Sequence, residues 1–497
     1  MASAEGANDF SNHETKRLAD YDFGELAAES DKKLFDYFVV TPIAETVVKK
    51  NIGLVLGRKG SGKTALFRQA EELLGRFGRS NVSVIRLNMD DLAWAAFTDF
   101  KKLGLSVEHA ATVAWQLALL LQLSAHIAAA PASRWSAAAS RDAQILRAFV
   151  KDNFGEITPD LTKSSKLIGQ VQSLKVGAFG ASIESSFSKD ASSRELAPAL
   201  TEAISGHLVA PLKDSAWLIV LDQLDESWDG SDEKRELLVG LLKAVKRIND
   251  DFGWDDDPLR GVRAIAFLRT DIHDTLSFDD KDKHRGSRLE IKWTHEQLRE
   301  MVQNRIGEDG LESLFESRTS QRKGRIPKGS FNYLASRTFM RPRDLIQFLI
   351  EIQNAFPDET VIGKRVVVDS EQTYSRDKVD DLGNEYRKAA PWVDPALSAL
   401  KQGPNKFESR ADLEAHLAKK ISAEQLAGLA IGDVHNLVDW MIETSILGAA
   451  LRKTATETIR FRCEGDSVSL EGDSTAWVHP GLFLGLALYE PRTSRAA

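Results

Sequence analysis

The residues Gly57 to Thr64 have the types and the spacing of a loop that binds phosphate. Their pattern is G-x-x-x-x-G-K-[ST], in which the glycines let successive backbone N–H groups point at phosphate oxygens. Lys63 would place a positive charge on the β- and γ-phosphates, and the Thr64 hydroxyl would ligate Mg²⁺. A strand-like apolar run precedes the loop and a helix-like run follows it. This pattern predicts a site for ATP and Mg²⁺.

The residues that we expect to contact the nucleotide here form the loop and the first turn of the helix after it. They are Gly57, Arg58, Lys59, Gly60, Ser61, Gly62, Lys63, Thr64 and Ala65. The helix that begins near Gly62 would add the positive end of its dipole to the phosphate site.

A second part of the site is predicted at Asp222, which ends the apolar run 217–222. Such a run is typical of a parallel strand covered on both faces, and ligands bind at the carboxyl ends of these strands. Asp222 would therefore hold Mg²⁺. Either Asp225 or Glu226 could orient and deprotonate the attacking water. The alternative is that both acids only cap the helix that starts near Ser231.

Two arginines are further candidates for the nucleotide site. Arg269 directly follows the strand-like run 262–268, so it would lie at a strand tip and sense the γ-phosphate; the alternative is a structural salt bridge. Arg341 precedes Pro342, which suits a first helical turn. It would reach back to the nucleotide from a lid, or else pair with nearby acids.

Length and composition limit the class of protein. The chain has 497 residues, 42% of them hydrophobic and 28% charged, which predicts a globular protein of two or three domains. Cys463 is the only cysteine, which excludes an intramolecular disulfide and a cysteine-built zinc site and favours the cytoplasm.

Residues 1–17 lack the apolar core of a secretory signal. The apolar window 113–130 contains polar residues, so we expect a buried helix and no membrane span.

The order of the predicted elements indicates an α/β fold, a P-loop NTPase parallel sheet with a long helical insertion, a helical lid and a C-terminal winged-helix-like domain. Apolar runs predict strands at 82–87, 217–222, 262–268 and 289–293. The expected segments are an entry segment at 1–45, an ATPase core at 46–295 with its insertion at about 92–207, a lid at 296–356, a connector at 357–390 and the winged-helix-like domain at 391–490.

The C-terminal segment carries the winged-helix prediction. Helices are expected at 392–401, 410–419, 422–429 and 433–444, strands at 458–463 and 466–471, and a last helix near 479–488. Winged helices commonly bind DNA. Residues 391–497 contain eleven Lys/Arg and fourteen Asp/Glu, whereas a DNA reader normally has a basic face. We therefore favour protein docking or organisation of an oligomer and leave nucleic-acid binding open.

The segments 57–64 and 221–228 together carry a resemblance to a known family. The chain resembles the STAND-type P-loop ATPases of the NACHT kind, and more closely a bacterial group linked to antiviral defence. That family has a strand ending in D-G-h-D-E, where this chain has Asp222, Gln223, Leu224, Asp225 and Glu226. The resemblance implies that Asp222 takes Mg²⁺ and that the later acids are catalytic. Gln223 departs from the pattern and leaves the base open between Asp225 and Glu226.

The function expected from these features is an ATPase that hydrolyses ATP and acts as a nucleotide-dependent switch of conformation or assembly, in antiviral defence. The expected catalytic residues are Glu226, Asp225, Lys63 and Arg269, the expected metal ligands are Thr64 and Asp222, and Arg341 completes the nucleotide contacts. The expected partners are ATP, further copies of the chain and another protein, without a membrane. The alternative is a non-hydrolysing, nucleotide-loaded adaptor or a DNA-binding regulator.

Overall fold

A computed structural model of the chain describes residues 16–88, 107–156, 174–180, 193–226, 228–256, 259–279, 281–307, 310–316, 329–429, 431–451, 458–465, 467–471 and 474–491. The chain divides into two compact units. We call Val40–Lys292 with Asn384–Val393 the sheet unit, and the described residues of Met1–Val39, Trp293–Gly383 and Asp394–Ala497 the helical unit. Parts of the insertion predicted at about 92–207 lie outside the described residues.

The strands are short and the helices dominate both units. The strands are β1 (Leu54–Leu56), β2 (Val82–Asn88), β3 (Ala216–Asp222), β4 (Asp255–Asp256), β5 (Leu259–Leu268), β6 (Arg288–Glu290), β7 (Lys406–Phe407), β8 (Leu447–Leu451), β9 (Ile459–Arg460) and β10 (Ser474–Val478). The helices are α1 (Leu34–Tyr37), α2 (Pro42–Lys49), α3 (Lys63–Arg76), α4 (Val107–Ala129), α5 (Ala137–Phe154), α6 (Ser193–Asp214), α7 (Asp232–Phe252), α8 (Thr270–Thr275), α9 (His295–Ile306), α10 (Leu311–Leu314), α11 (Ser330–Ala335), α12 (Pro342–Ala355), α13 (Lys364–Tyr386), α14 (Val393–Leu400), α15 (Arg410–Ala418), α16 (Ala423–Gly428) and α17 (Val434–Glu443).

The sheet unit is built on a parallel sheet in the order β2-β3-β5-β1-β6, with β4 antiparallel to the outer end of β5. Every residue of β3 is buried, as its unbroken apolar sequence predicts for a strand covered on both faces. All four predicted core strands are present, although the last covers only 288–290. Because β5 lies between β1 and β3, the carboxyl ends of these three strands are neighbours. The phosphate loop between β1 and α3 and this strand order make the fold that of a P-loop NTPase.

Helix α4 lies in the core of the sheet unit. Among the described residues, it is the helix whose length and apolar composition would suit a membrane span, and 89% of its most apolar window is buried. Trp115 is fully buried and its indole N–H donates to the carbonyl of Leu237 on α7, at 3.0 Å. The prediction of a buried helix over this window is confirmed.

In the helical unit, most of the connector predicted at 357–390 is the 23-residue helix α13. Its Tyr374 ring stacks on Phe348 of α12 with ring centroids 4.2 Å apart, and both side chains are fully buried. Helix α13 continues past Gly383, so its last residues, from Asn384, belong to the sheet unit.

The C-terminal part of the helical unit combines four helices with a small antiparallel sheet. Helices α14 to α17 accompany an antiparallel sheet in the order β7-β10-β8-β9. Of the two predicted ribbon strands, the one at 458–463 is present as the short β9, which pairs with β8. The one at 466–471 is wrong, because its described residues form no strand and the longer pair is β8 with β10, at 447–451 and 474–478. The helix predicted near 479–488 is also wrong: Pro480–Leu482 forms a 3-10 turn, and Ala487 has a φ of 54° that an α-helix does not allow.

Candidate nucleotide site

The loop from Gly57 to Thr64 curls tightly between β1 and α3. A Cβ at Gly57 would meet the Ser61 hydroxyl, which would have to move, and would lie 3.4 Å from Cγ of Lys63. Gly62 is the N-cap of α3 with a φ of 100°, in the left-handed region that favours glycine. The loop backbone therefore has the compact shape that the sequence pattern predicts.

Lys63 lies inside the loop and is 8% exposed. Its Nζ donates to the carbonyl oxygens of Gly57, at 2.8 Å, and Arg58, at 3.2 Å. Burial lowers the pKa of Lys63, and the nearby carboxylate of Asp225 opposes this change. A poorly hydrated ammonium held in this way is suited to bind phosphate oxygens.

Asp222 ends β3 and is 2% exposed. The Thr64 hydroxyl lies close enough to the Asp222 carboxylate to lower its pKa, whereas Oδ2 has no hydrogen-bond partner among the described residues. Burial raises the pKa of Asp222, although Thr64, the Gln223 backbone and the charge of Lys63 act in the opposite direction. A buried oxygen with unused acceptor capacity beside a threonine hydroxyl is a donor set that fits Mg²⁺.

The rest of a Mg²⁺ coordination shell would come from phosphate and water. Within the described part of the chain, no group of three or more His, Cys, Asp or Glu could hold a metal by itself. This agrees with the usual chemistry of Mg²⁺ in nucleotide sites, where one or two protein oxygens combine with substrate phosphates.

Arg269 directly follows β5, between the loop after β1 and the end of β3. Its guanidinium donates to both carboxylate oxygens of Asp271, at 3.1 and 2.7 Å, and to the backbone carbonyl of Glu385, at 3.3 Å. The carboxylates of Asp225 and Glu385 lie 3.7 and 3.8 Å away. Burial lowers the pKa of Arg269, but Asp271, Glu385 and Asp225 together raise it above its ordinary value. The structure thus shows salt bridges at this strand tip.

Asp225 and Glu226 differ in their surroundings. The Asp225 side chain is 27% exposed, lies beside Arg269 and acts electrostatically on Lys63. Glu226 is exposed in the turn that follows β3. Neither is the N-cap of α7, because that role belongs to Ser231, whose hydroxyl accepts from a backbone N–H of the first turn. The structure therefore brings Asp225 towards both cations of the site, and Glu226 is the more exposed of the two acids.

Gln223 has a φ of 63°, which is unusual for a residue other than glycine. It occupies the position at which the resembled D-G-h-D-E pattern has glycine. A left-handed conformation costs a residue with a side chain about 1–2 kcal/mol. This chain therefore has glutamine where the pattern has glycine, but it keeps the backbone conformation that glycine would favour.

Charge is unevenly distributed around the two buried cations. Four carboxylates and two cations act on one another here: Asp222, Asp225, Asp271 and Glu385 with Lys63 and Arg269. Sequence reasoning missed two of these acids. Asp271, two residues after Arg269, could have been found from that spacing, whereas no local signal indicates Glu385.

Arg341 belongs to the helical unit, where it is the N-cap of α12. It is 3% exposed, and its guanidinium lies 5.6 Å from the centre of the Phe339 ring. The preceding residue, Met340, has a φ of 53°. The predicted contact between Arg341 and nucleotide stays a prediction.

Residues 296–383 match the family model of the FunZ-associated C-terminal helical domain. The matched residues lie within the helical unit, from α9 into α13. A relative in Escherichia coli (strain K12), the transposon gamma-delta 80.3 kDa protein, is 24% identical over 514 residues, which cover 94% of this chain and 67% of that protein.

Solved structures with similar chains include Drosophila ORC bound to DNA, at 12% identity and a TM-score of 0.31, covering 98% of this chain and 96% of that one. They also include Cdc6p from Pyrobaculum aerophilum, at 11% identity and a TM-score of 0.28, covering 92% and 97%. The ORC2 protein of Aeropyrum pernix in ADPNP–ADP complexes is 10% identical with a TM-score of 0.29, covering 87% and 93%. These values are too low to transfer a property of those proteins to this chain.

Proposed function

We propose that the sheet unit binds ATP with Mg²⁺ and hydrolyses it, and that the bound nucleotide switches the conformation or assembly of the protein. The observation that carries this proposal is the pairing of Asp222 with the Thr64 hydroxyl at the neighbouring ends of β3 and the phosphate loop. A P-loop ATPase requires this pair to hold Mg²⁺ beside the phosphates.

The surplus of negative charge at the site supports a role for the metal in ATP binding. A triphosphate brought to four carboxylates and two cations would add charge of the same sign as the majority. Mg²⁺ bound at Thr64 and Asp222 would offset this repulsion and polarise the phosphoryl oxygens. We therefore expect ATP to bind much more tightly with Mg²⁺ than without it.

The residues have separate roles in the proposed hydrolysis. The loop N–H groups and Lys63 bind the β- and γ-phosphates, and Lys63 offsets charge that develops on the leaving ADP oxygen. Water attacks the γ-phosphorus, the bond to the β,γ-bridging oxygen breaks, and ADP and inorganic phosphate result. Asp225 or Glu226 orients the water and accepts its proton. Arg269 senses the γ-phosphate.

The charges of the C-terminal helices support binding to a protein partner over binding to duplex DNA. If this segment is a winged helix, α17 would be the helix that precedes the ribbon and reads DNA, yet Val434–Glu443 contains no Lys or Arg. Its exposed residues include Asp439, which pairs with Arg410 of α15 at 2.8 Å. The setting of antiviral defence is supported by the sequence resemblance alone.

The binding step is tested with Lys63→Ala. Loss of the buried ammonium is expected to weaken Mg²⁺-ATP binding by about 100-fold, measured by isothermal titration calorimetry. Lys49→Ala is the matched control, because Lys49 lies in the same unit but is about half exposed and pairs with Glu45. Equal ATP affinity in Lys63→Ala and wild type would contradict the proposal.

The hydrolysis step is tested by comparing Glu226→Gln with Asp225→Asn through release of inorganic phosphate. Glu226→Gln is expected to slow hydrolysis by about 100-fold while ATP affinity stays unchanged, because the exposed Glu226 is proposed to act on the attacking water and not on the bound phosphates. Asp225→Asn is expected to change affinity as well, because it removes a charge that acts on both cations. If wild-type protein hydrolyses no ATP but binds it, the adaptor alternative holds.

A further inference from the structure

The segment Asn384–Val393 packs on the sheet unit although the chain on either side of it belongs to the helical unit. Tyr386 is 2% exposed, and Ala389 packs against the hydrophobic core of the sheet unit. A Cβ at Gly230 would contact the backbone of Ala389 at 3.8 Å, which places the segment beside the turn that follows β3. The end of α13 thus lies next to the candidate nucleotide site.

Glu385 makes the polar contact between this segment and the site. Its side chain is 3% exposed; its backbone carbonyl accepts from Arg269, and its carboxylate lies 3.8 Å from the same guanidinium. The Tyr386 ring centre is 5.8 Å from the Arg269 guanidinium. Two consecutive residues at the end of α13 therefore lie close to the Arg269 guanidinium.

Because Glu385 contacts the Arg269 guanidinium, the position of the Arg269 side chain depends on Glu385. A buried carboxylate is tolerated when a cation compensates it, and loss of that cation leaves a charge that is costly to bury. If Arg269 turned towards a γ-phosphate, Glu385 would lose the compensating charge that Arg269 supplies. Either the segment moves so that Glu385 reaches water, or Arg269 stays with Glu385.

We propose that Glu385 is a positioning residue that competes with the γ-phosphate for Arg269, so that ATP but not ADP loosens Asn384–Val393 from the sheet unit. This inference rests on the proposed function of the site and specifies how the site is regulated. Because α13 runs from Lys364 to Tyr386, the γ-phosphate would act on the end of a helix whose first 20 residues belong to the helical unit.

The first test measures the affinities for ADP and for a non-hydrolysable ATP analogue, each with Mg²⁺, by calorimetry. Glu385→Gln keeps the size of the side chain and removes its charge, so it is expected to raise the affinity for the ATP analogue relative to ADP by about tenfold. Combined with Arg269→Gln, the same change is expected to have no further effect on this ratio. An unchanged ratio in a folded Glu385→Gln protein would overturn the inference.

The matched control is Glu371→Gln. Glu371 is also a buried glutamate of α13 that pairs with an arginine, Arg337, at 2.7 Å, but both residues lie in the helical unit. The control should leave the ratio of the two affinities unchanged. A wild-type protein that binds neither nucleotide would refute the proposed function itself, whereas normal binding with an unchanged ratio in Glu385→Gln refutes only the role of Glu385.

A second measurement uses the wild-type chain and does not depend on how a variant folds. Amide hydrogen exchange in peptides covering 384–393 is expected to be faster with the ATP analogue than with ADP. Equal protection with the two nucleotides, at concentrations that saturate the site, would overturn the inference.

Discussion

Gln223 holds its unusual backbone conformation directly after Asp222, at a φ of 63°. We predict that Gln223→Gly stabilises the protein by about 0.5–1 kcal/mol, because relief of the left-handed conformation exceeds the entropy that glycine adds to the unfolded chain. Urea unfolding measures the change. Gln425→Gly, an exposed position in the interior of α16, is the control and should destabilise by a similar amount. Destabilisation by both changes would contradict the prediction.

Asp222 lowers the stability of the folded protein for a different reason, because burial raises the pKa of its carboxyl group. A raised pKa in the folded state means that stability is lost as the pH rises through that pKa, because the ionised carboxylate is poorly solvated. We predict that Asp222→Asn raises the melting temperature of the nucleotide-free protein at pH 7–8, and that this gain shrinks towards pH 4, near the ordinary pKa of Asp.

The same variant is expected to lose the additional stabilisation that Mg²⁺ gives with ATP. Differential scanning calorimetry at both pH values measures the two effects. Asp255→Asn is the control, because the Asp255 side chain is 77% exposed, and it should show no gain that depends on pH. A melting temperature that falls in Asp222→Asn without nucleotide would contradict the prediction.

Whether a residue of the site could be predicted depends on how far away in the sequence the residues that it contacts lie. Lys63 and Thr64 were predictable from the loop pattern that follows β1, and Asp222 and Arg269 from their places at the ends of apolar strands, because such ends meet at one edge of a parallel sheet. Glu385 was not, because it lies 116 positions after Arg269 in a polar helix. Nothing in a local pattern selects one buried glutamate of that helix from its exposed neighbours.

Among the elements, α4 and α7 pack closely at Gly240. A Cβ at this position would lie 2.8 Å from the backbone carbon of Ala111 and 2.9 Å from the backbone nitrogen of Thr112. We predict that Gly240→Ala destabilises the sheet unit by about 1–3 kcal/mol, although alanine is the better helix former. Urea unfolding of the whole chain measures this.

Gly206, in the interior of α6, is the matched control. A Cβ there would meet nothing within 4 Å, so Gly206→Ala should stabilise the protein by up to about 1 kcal/mol. Changes of the same sign at Gly206 and Gly240 would show that the close approach of α4 and α7 is not what requires glycine.

The elements of the parallel sheet were more predictable than those of the C-terminal segment 391–490. Strands such as β3 are continuous apolar runs, so their sequence alone identifies them. Strand β8 has the sequence Leu-Gly-Ala-Ala-Leu, whose alanines and glycine have low strand propensity, and it directly follows α17. Its conformation is set by pairing with β10, from Leu447 with Val478 to Leu451 with Ser474, and no pattern within the strand reveals that partner.

For the whole molecule, the proposed switch predicts a change that depends on nucleotide. We expect the mass or the hydrodynamic radius to differ between Mg²⁺-ADP and a Mg²⁺-bound, non-hydrolysable ATP analogue. Size-exclusion chromatography with light scattering measures both quantities. Lys63→Ala is the control and should show one state under both conditions. If wild-type protein binds both nucleotides but keeps the same mass and radius, the assembly part of the proposal is wrong.

The position of α4 in the chain has a consequence for biosynthesis. This apolar helix ends at Ala129, whereas α7, which accepts the hydrogen bond of Trp115, begins only at Asp232. At about 5–20 residues per second, a ribosome needs roughly 5–20 s to make the chain between them. During that time α4 is as apolar as a membrane segment and lacks the helix that covers it. We therefore expect soluble yield to depend on translation speed and on chaperones that hold nascent apolar segments.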